Sequence, residues 1–267
     1  KFIQTLCRVN PKSGYKAGTI NVDTEYNEVS ISRGNSVIHK ASSKSYVVDA
    51  VLDVMPGKYA DPNADGKKPK TVWATQSKVF DQVRTMIDRS AQDEGSDILI
   101  LANGASGSGK TYTMFGESNF EDRGIVPRFV DYIYKHQGKN RYLAVEDIAD
   151  APPALQANKV LLSMMLVSGE QMTDVLHVNN PLRTWNQHER VAYSDHLGPI
   201  ALSAEYVLSC SADELSDQLN MGLRVAATVV HSTTDLYAST SIVISMLILS
   251  GDKEKVKLDA TSKMFGK

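Results

Sequence analysis

Cysteine is almost missing from this chain: Cys7 and Cys210 are the only two in 267 residues. Two thiols do not make a disulfide framework, which sets the chain apart from small stapled secreted domains and fits a reducing, intracellular compartment. Neither H-E-x-x-H nor C-x-x-C occurs, and His39, His136, His177, His188, His196 and His231 show no close pairing. That argues against a structural zinc site. Neither sign of charge prevails, with 29 Lys and Arg against 31 Asp and Glu, a net charge of −2 and a pI near 6.3. No global field therefore draws the chain to nucleic acid or to a membrane surface. No apolar run approaches the ~18 residues that a spanning helix needs, so no membrane insertion is expected. Internal repeats and low-complexity tracts are absent too. The chain opens on Lys1-Phe2-Ile3-Gln4, without a signal-peptide pattern or an initiator Met, and reads as a segment trimmed to a domain.

What is present is enough apolar residue to build a core: 42% hydrophobic against 22% charged. At this length one large α/β domain over residues 1–267 is more economical than two small ones. The most informative stretch is Gly104-Ala105-Ser106-Gly107-Ser108-Gly109-Lys110-Thr111, which has the pattern G-x-x-x-x-G-K-T. It follows the apolar run Asp97-Ile98-Leu99-Ile100-Leu101-Ala102, read as a buried strand, and precedes Tyr112-Thr113-Met114, read as a helix start. Strand, loop and helix in that order are the context of a phosphate-binding loop. Glycines let the backbone turn its N–H groups inward as an anion nest. The helix start adds N–H groups and the positive end of its dipole. Lys110 is placed to reach the β- and γ-phosphates and the Thr111 hydroxyl to ligate Mg²⁺. ATP or ADP with Mg²⁺ is thus the expected ligand.

Around this loop the pattern predicts alternating elements. Phe2 to Val9 reads as a strand that ends at Pro11, which cannot continue a ladder. Thr19–Val22 and Val29–Ile31 suggest a small antiparallel lobe, and Tyr46 to Leu52 one further strand. Residues 53–72 hold Pro56-Gly57, Asp61-Pro62, Asp65-Gly66 and Lys67-Lys68-Pro69-Lys70, a breaker-rich insertion read as solvated and mobile or as a basic contact surface. Val79, Phe80, Val83, Met86 and Ile87 fall on one face of a helix over 75–90 that Thr75 could cap. Ile125 to His136 repeats apolar residues every four positions, with Pro127 in the first turn. Lys159 to Val167 reads as a buried strand, with Met164-Met165 as core filling, and Glu170 to Leu176 as a short helix. Asn179 to Ala204 mixes turns with short β pieces. Ser211-Ala212-Asp213-Glu214 has capping-box spacing ahead of the stripe Leu215, Leu219, Leu223, Ala226. Ser241 to Leu249 reads as a strong strand, and Val256 to Asp259 as one more short strand.

Taken in order, these segments resemble a kinesin motor domain. GASGSGKTYTM at Gly104–Met114 is similar to the kinesin loop, with Ala105-Ser106 in place of Gln-Thr. Gly124-Ile125-Val126-Pro127-Arg128 resembles the family's G-I-[IV]-P-R, and Gln76-Ser77-Lys78-Val79-Phe80 its Q-x-x-V-F helix. Tyr46 to Val51 resembles F-x-F-D-x-V. Leu162 to Glu170 resembles the V-S-x-x-E-I-Y-N-E strand, with Asp174-Val175-Leu176 in the place of D-L-L. Arg8-Val9-Asn10-Pro11 resembles the R-x-R-P that lines the adenine, with Asn10 for the second arginine.

The resemblance implies a kinesin-type P-loop NTPase: a central mixed, mostly parallel sheet with helices on both faces. It implies Arg8 and Pro11 beside the base. It also implies that Tyr112 stacks on the adenine, the alternative being a core or rim tyrosine. Microtubules (tubulin) become the expected partner and the cytoplasmic cytoskeleton the expected location, with any dimer partner engaged through regions outside this chain.

The resemblance breaks at the two switches. Where the family has S-S-R-S-H, this chain has Tyr237-Ala238-Ser239-Thr240-Ser241, so Ser239 takes the arginine position and Thr240 keeps a hydroxyl for the metal. Where the family has D-L-A-G-S-E, the chain has Asp259-Ala260-Thr261-Ser262-Lys263: Asp259 is placed for the Mg²⁺ shell or is part of a charged tail, the glycine is missing, and a lysine stands near the glutamate position. By the resemblance, most microtubule contacts would lie beyond Lys267. Two readings follow. One is an ATPase motor in which Lys110, Thr240 and Asp259 serve the chemistry and Thr111 and Thr240 hold the metal. The other is a binding module that holds nucleotide, tubulin or a partner chain without efficient turnover.

Overall fold

A computed structural model describes residues 4–9, 20–23, 25–32, 43–52, 75–92, 98–117, 121–135, 153–168, 171–176, 184–185, 191–194, 198–201, 204–232 and 240–249. The chain divides into two compact units: Lys1–Ile87 with Ile98–Val126, and Asp88–Asp97 with Pro127–Lys267. The expected insertion at 53–72, Pro11, Asp259 and the short strand at 256–259 lie outside the described residues.

In the first unit, β1 (Leu6–Arg8) pairs in parallel with β5 (Ala50–Leu52), Cys7 opposite Val51. The antiparallel lobe is present as β2 (Ile20–Asp23), β3 (Glu28–Ser32) and β4 (Ser43–Val47), in the order β2-β3-β4. The single strand expected over Tyr46 to Leu52 is two strands in two different sheets. Asn27 explains the break. With φ of 51° it sits in the left-handed region that Asn tolerates better than most residues. Its carbonyl accepts from Val48 N at 3.0 Å and its Oδ1 from Val51 N at 3.2 Å. Asp49 then turns toward β1: its N–H donates to Thr5 O at 2.9 Å, and its Oδ2 accepts from Thr5 N at 2.8 Å.

Helix α1 (Gln76–Gln92) is capped by Thr75, whose Oγ1 accepts from Lys78 N at 3.3 Å. Val79, Phe80, Val83 and Ile87 are buried, as their spacing predicts. The buried strand expected before the glycine-rich loop is absent. Residues 98–102 have no strand pairing, and Leu99 and Leu101 are 89% and 80% exposed. Among the described residues nothing ladders with this segment, so an apolar run that would suit a sheet interior gains neither backbone partners nor cover.

The second unit is built on β6 (Lys159–Ser168), with Val160, Leu162 and Met164 fully buried. The strand β12 (Thr240–Leu249) runs antiparallel along its whole length, from Thr240 opposite Ser168 to Leu249 opposite Lys159. The other edge of β6 is shared by β11 (Val207–Ser209) at one end and β7 (Gln171–Asp174) at the other, both antiparallel. So Glu170 to Leu176, expected as a short helix, is largely a strand. Register with β6, Gln171 opposite Ser168, supplies the ladder partners that override a weak local preference. The expected short β pieces are β8 (Thr184–Trp185), which pairs with β7, and the hairpin of β9 (Val191–Ser194) with β10 (Gly198–Ala201).

Helix α3 (Ile125–Tyr134) carries Pro127 in its first turn, and Val130 and Ile133 are fully buried. Helix α4 (Ala212–Ser232) packs on β6 and β11. Its capping box forms, with Ser211 Oγ accepting from Glu214 N at 3.2 Å. The Glu214 carboxylate reaches Cys210 N at 2.7 Å, one residue before the usual amide. Tyr134 donates to Ser209 O at 3.0 Å, and burial pushes its phenol well above the usual tyrosine range, so it stays a donor.

The architecture is therefore α/β with mixed sheets. It is not mostly parallel among the described residues, where β1 with β5 is the one parallel pair. Hairpin and neighbour pairing around β6 is antiparallel throughout.

Asp174, fully buried at the end of β7, pins this unit. Its Oδ1 accepts from Leu176 N at 2.9 Å and its Oδ2 from Glu205 N at 2.6 Å. Replacing it with alanine strands two amides, so Asp174→Ala should destabilise the protein by about 2–5 kcal/mol. Asp174→Asn keeps one acceptor and should cost less. Urea unfolding of the two variants checks the order, and equal stability to wild type would refute the role.

Candidate functional site

The glycine-rich loop folds as a cradle whose backbone no other residue type adopts easily. Gly104, Gly107 and Gly109 have φ of 157°, 73° and 97°. A turn closes where Ser108 N donates to Ala105 O at 3.2 Å. Helix α2 (Lys110–Met114) starts directly after it, with Thr113 N on Gly109 O at 2.9 Å. It is little more than one turn long, so its aligned dipole is small, and anion binding rests on the loop amides and on Lys110. The Lys110 ammonium donates to Gly104 O and Ala105 O, both at 2.8 Å. An ammonium has three N–H donors. Two hold it across the loop, and the third remains for an anion's oxygen.

On one flank of α2 a second cluster forms. The Arg8 guanidinium, from β1, lies 5.2 Å from the centroid of the Tyr112 ring. Its Nη1 donates to Gln76 Oε1 and to Thr113 Oγ1, each at 2.8 Å. The Tyr112 hydroxyl donates to Asp122 Oδ1 at 2.8 Å. Burial, then the Asp122 carboxylate, raise the Tyr112 phenol above its ordinary value, so it remains a neutral donor. Burial lowers the Arg8 guanidinium from its ordinary value and Tyr112 partly offsets that. The segment between α2 and α3 folds back on itself: Glu117 N donates to Asp122 O at 3.0 Å and Gly124 N to Phe115 O at 2.9 Å.

Of the site residues read from sequence, the structure brings Arg8 against Tyr112, which lies on the helix that the loop 104–109 leads into. Thr111 is the second residue of that helix and is exposed. Thr240 opens β12 in the second unit, opposite Ser168. Gln76, Thr113 and Asp122 escaped sequence reasoning. Gln76 had a signal: at positions 76, 80, 83 and 87 it falls on the apolar stripe of α1, a polar residue where the core face should be. Asp122, in a polar connection, had none.

The residues fit a nucleotide phosphate: a glycine-rich turn with a lysine donor held across it. For the metal, no group of three or more His, Cys, Asp or Glu among the described residues is placed to hold one. No helix among the described residues is long and apolar enough to cross a membrane.

The chain matches the family model for the kinesin motor domain over residues 20–265. Among individual proteins, it is 31% identical over 170 residues to kinesin-like protein 3 of Schizosaccharomyces pombe, covering 63% of this chain and 26% of that protein. It is 29% identical over 164 residues to kinesin-like protein unc-104 of Caenorhabditis elegans, covering 60% of this chain and 9% of that one. With kinesin-like protein KIN-14O of rice, Oryza sativa subsp. japonica, it shares 32% identity over 139 residues, 52% of this chain and 18% of the relative. The match thus spans about a quarter or less of the length of these relatives.

Proposed function

The chain belongs to the kinesin motor domain family, and from that we propose that it binds Mg-ATP on Gly104–Thr111 and hydrolyses it to drive movement along microtubules. The observation that carries the proposal is the loop geometry, with Lys110 anchored at 2.8 Å on two loop carbonyls and keeping one donor for a phosphate oxygen. The base would lie against Arg8 and Tyr112, with Pro11 beside it. Mg²⁺, when bound, neutralises charge on the phosphoryl oxygens. Thr111 would supply a hydroxyl to it, and by the family resemblance Thr240 would supply a second. Lys110 stabilises charge that builds on the transferring group. Asp259 would also serve that ion, as the family resemblance implies. The partner is the microtubule, the setting the cytoplasmic cytoskeleton, and dimerisation a matter for regions outside this chain.

A second reading is favoured by the switch positions. Ser239 stands where the family has an arginine, and Lys263 near its glutamate, without the intervening glycine. On that reading the domain holds nucleotide, tubulin or a partner chain and turns over little. Measuring ATP turnover with and without microtubules separates the two. The motor reading expects microtubule-stimulated turnover. Tight nucleotide binding with no stimulation would leave the binding module in its place, and no nucleotide binding would overturn both nucleotide readings.

A further inference from the structure

Gln76 is a side chain the chemistry above does not use, and it is almost completely buried, at 2% exposure. It is the first residue of α1, directly after the Thr75 cap, so its side chain is presented at the helix's entry, where β1 and the chain after the loop meet it. Its Nε2 donates to the carbonyls of Tyr112 and, at 3.2 Å, Asp122, and its Oε1 accepts from Arg8 Nη1 at 2.8 Å. The orientation of this amide is chemically forced. Two carbonyls accept only donors and a guanidinium offers only donors, so nitrogen must face the first pair and oxygen the second. A buried amide satisfied on both ends is rigid and specifies one arrangement of its neighbours.

Those neighbours are the two groups placed against the base. Arg8 is held through one nitrogen, Nη1, by both Gln76 and Thr113, and its Cζ lies over the Tyr112 ring, 5.2 Å from the centroid. Tyr112 is held by its carbonyl through Gln76 and by its hydroxyl through Asp122, whose own carbonyl is also on Gln76. We propose that Gln76 is a positioning residue for the base side of the nucleotide site: it touches no nucleotide and sets base-dependent affinity through Arg8 and Tyr112. The inference rests on the nucleotide reading given above. It separates two parts of one site, because Lys110 and the loop carbonyls make none of their hydrogen bonds to Gln76.

The test compares Mg-ATP with inorganic tripolyphosphate, which has the phosphates and no base, by calorimetry on wild type, Gln76→Leu, Arg8→Ala and the double variant. Gln76→Leu should weaken ATP about tenfold, the scale of one charge-assisted hydrogen bond and its geometry, while tripolyphosphate changes less than about twofold. The double variant should lose less ATP affinity than the sum of the two single losses, since part of the effect of Gln76 runs through Arg8. Should Gln76→Leu fail to fold, Gln76→Asn retains the amide and withdraws it by one methylene, and the same ATP-only loss is expected. Equal losses for ATP and tripolyphosphate, or additive losses in the double variant, would overturn the positioning role while leaving the nucleotide site standing. Wild-type protein that binds neither compound would overturn the site and the role together.

Discussion

Lys110→Ala is expected to weaken Mg-ATP and Mg-ADP binding by about 10- to 100-fold, the worth of a charge-assisted hydrogen bond to phosphate. Any turnover should fall further, by about 10²–10³-fold, because charge on the transferring group is greatest in the transition state. Stability should change little. The side chain is not in the core, and its hydrogen bonds are to Gly104 O and Ala105 O in an exposed loop, both of which water can satisfy. Lys110→Arg should not rescue function, because a planar guanidinium cannot occupy the rim of a loop that closes on a compact ammonium. Titration with a fluorescent ADP, run beside a thermal melt, reads both quantities. Unchanged affinity would remove the loop from the site.

Gly116→Ala should damage the fold more than any surface change in this unit. Gly116 has φ of 73°, and a Cβ placed there would lie 1.8 Å from Asp122 O and 2.5 Å from Gly124 N. The contact is reciprocal: a Cβ on Gly124 would lie 2.5 Å from the carbonyl of Met114 and from Phe115 N. Every one of these atoms is backbone, so no rotamer change relieves the overlap. The strands of this loop, bridged at Gly116 and Arg123, would have to part. The expected loss is about 3–5 kcal/mol, a large share of a typical domain's stability. Gly107→Ala is the control. It has the same φ of 73° but nothing within 4 Å of the added carbon, so only the backbone cost of about 1 kcal/mol should appear. Denaturant midpoints of the two variants measure the difference. Because Asp122 holds both Gln76 and Tyr112, the Gly116 variant should also bind ATP poorly where it still folds.

Local chemistry is what the sequence carried. The glycine-rich loop was legible because G-x-x-x-x-G-K-T needs particular residue types at fixed offsets, and Gly104 and Gly109, which the pattern fixes, both have positive φ, as does Gly107 between them. Helices α1 and α4 were legible from cap and stripe, since a period of 3.6 and a Thr or Ser at the entry are properties of the segment itself. The strands β6 and β12 were legible as long apolar runs of β-branched and aliphatic residues. Hydrogen bonds and burial between distant residues were not. Nothing in Tyr46 to Leu52 alone says that it breaks; the break comes from Asn27, some twenty residues earlier, which claims two of its amides. Nothing in Gln171 to Asp174 rejects a helix until β6 lies beside it. The run 98–102 shows the reverse failure, because apolar composition argues for burial and only a neighbouring strand can provide it. The same division holds at the site. Residue type and spacing said that a phosphate could be held by Lys110 and the loop. That Gln76 locks Arg8 over Tyr112 follows from three segments meeting around one buried amide, and an amide declares its partners only once they are within about 3 Å of it.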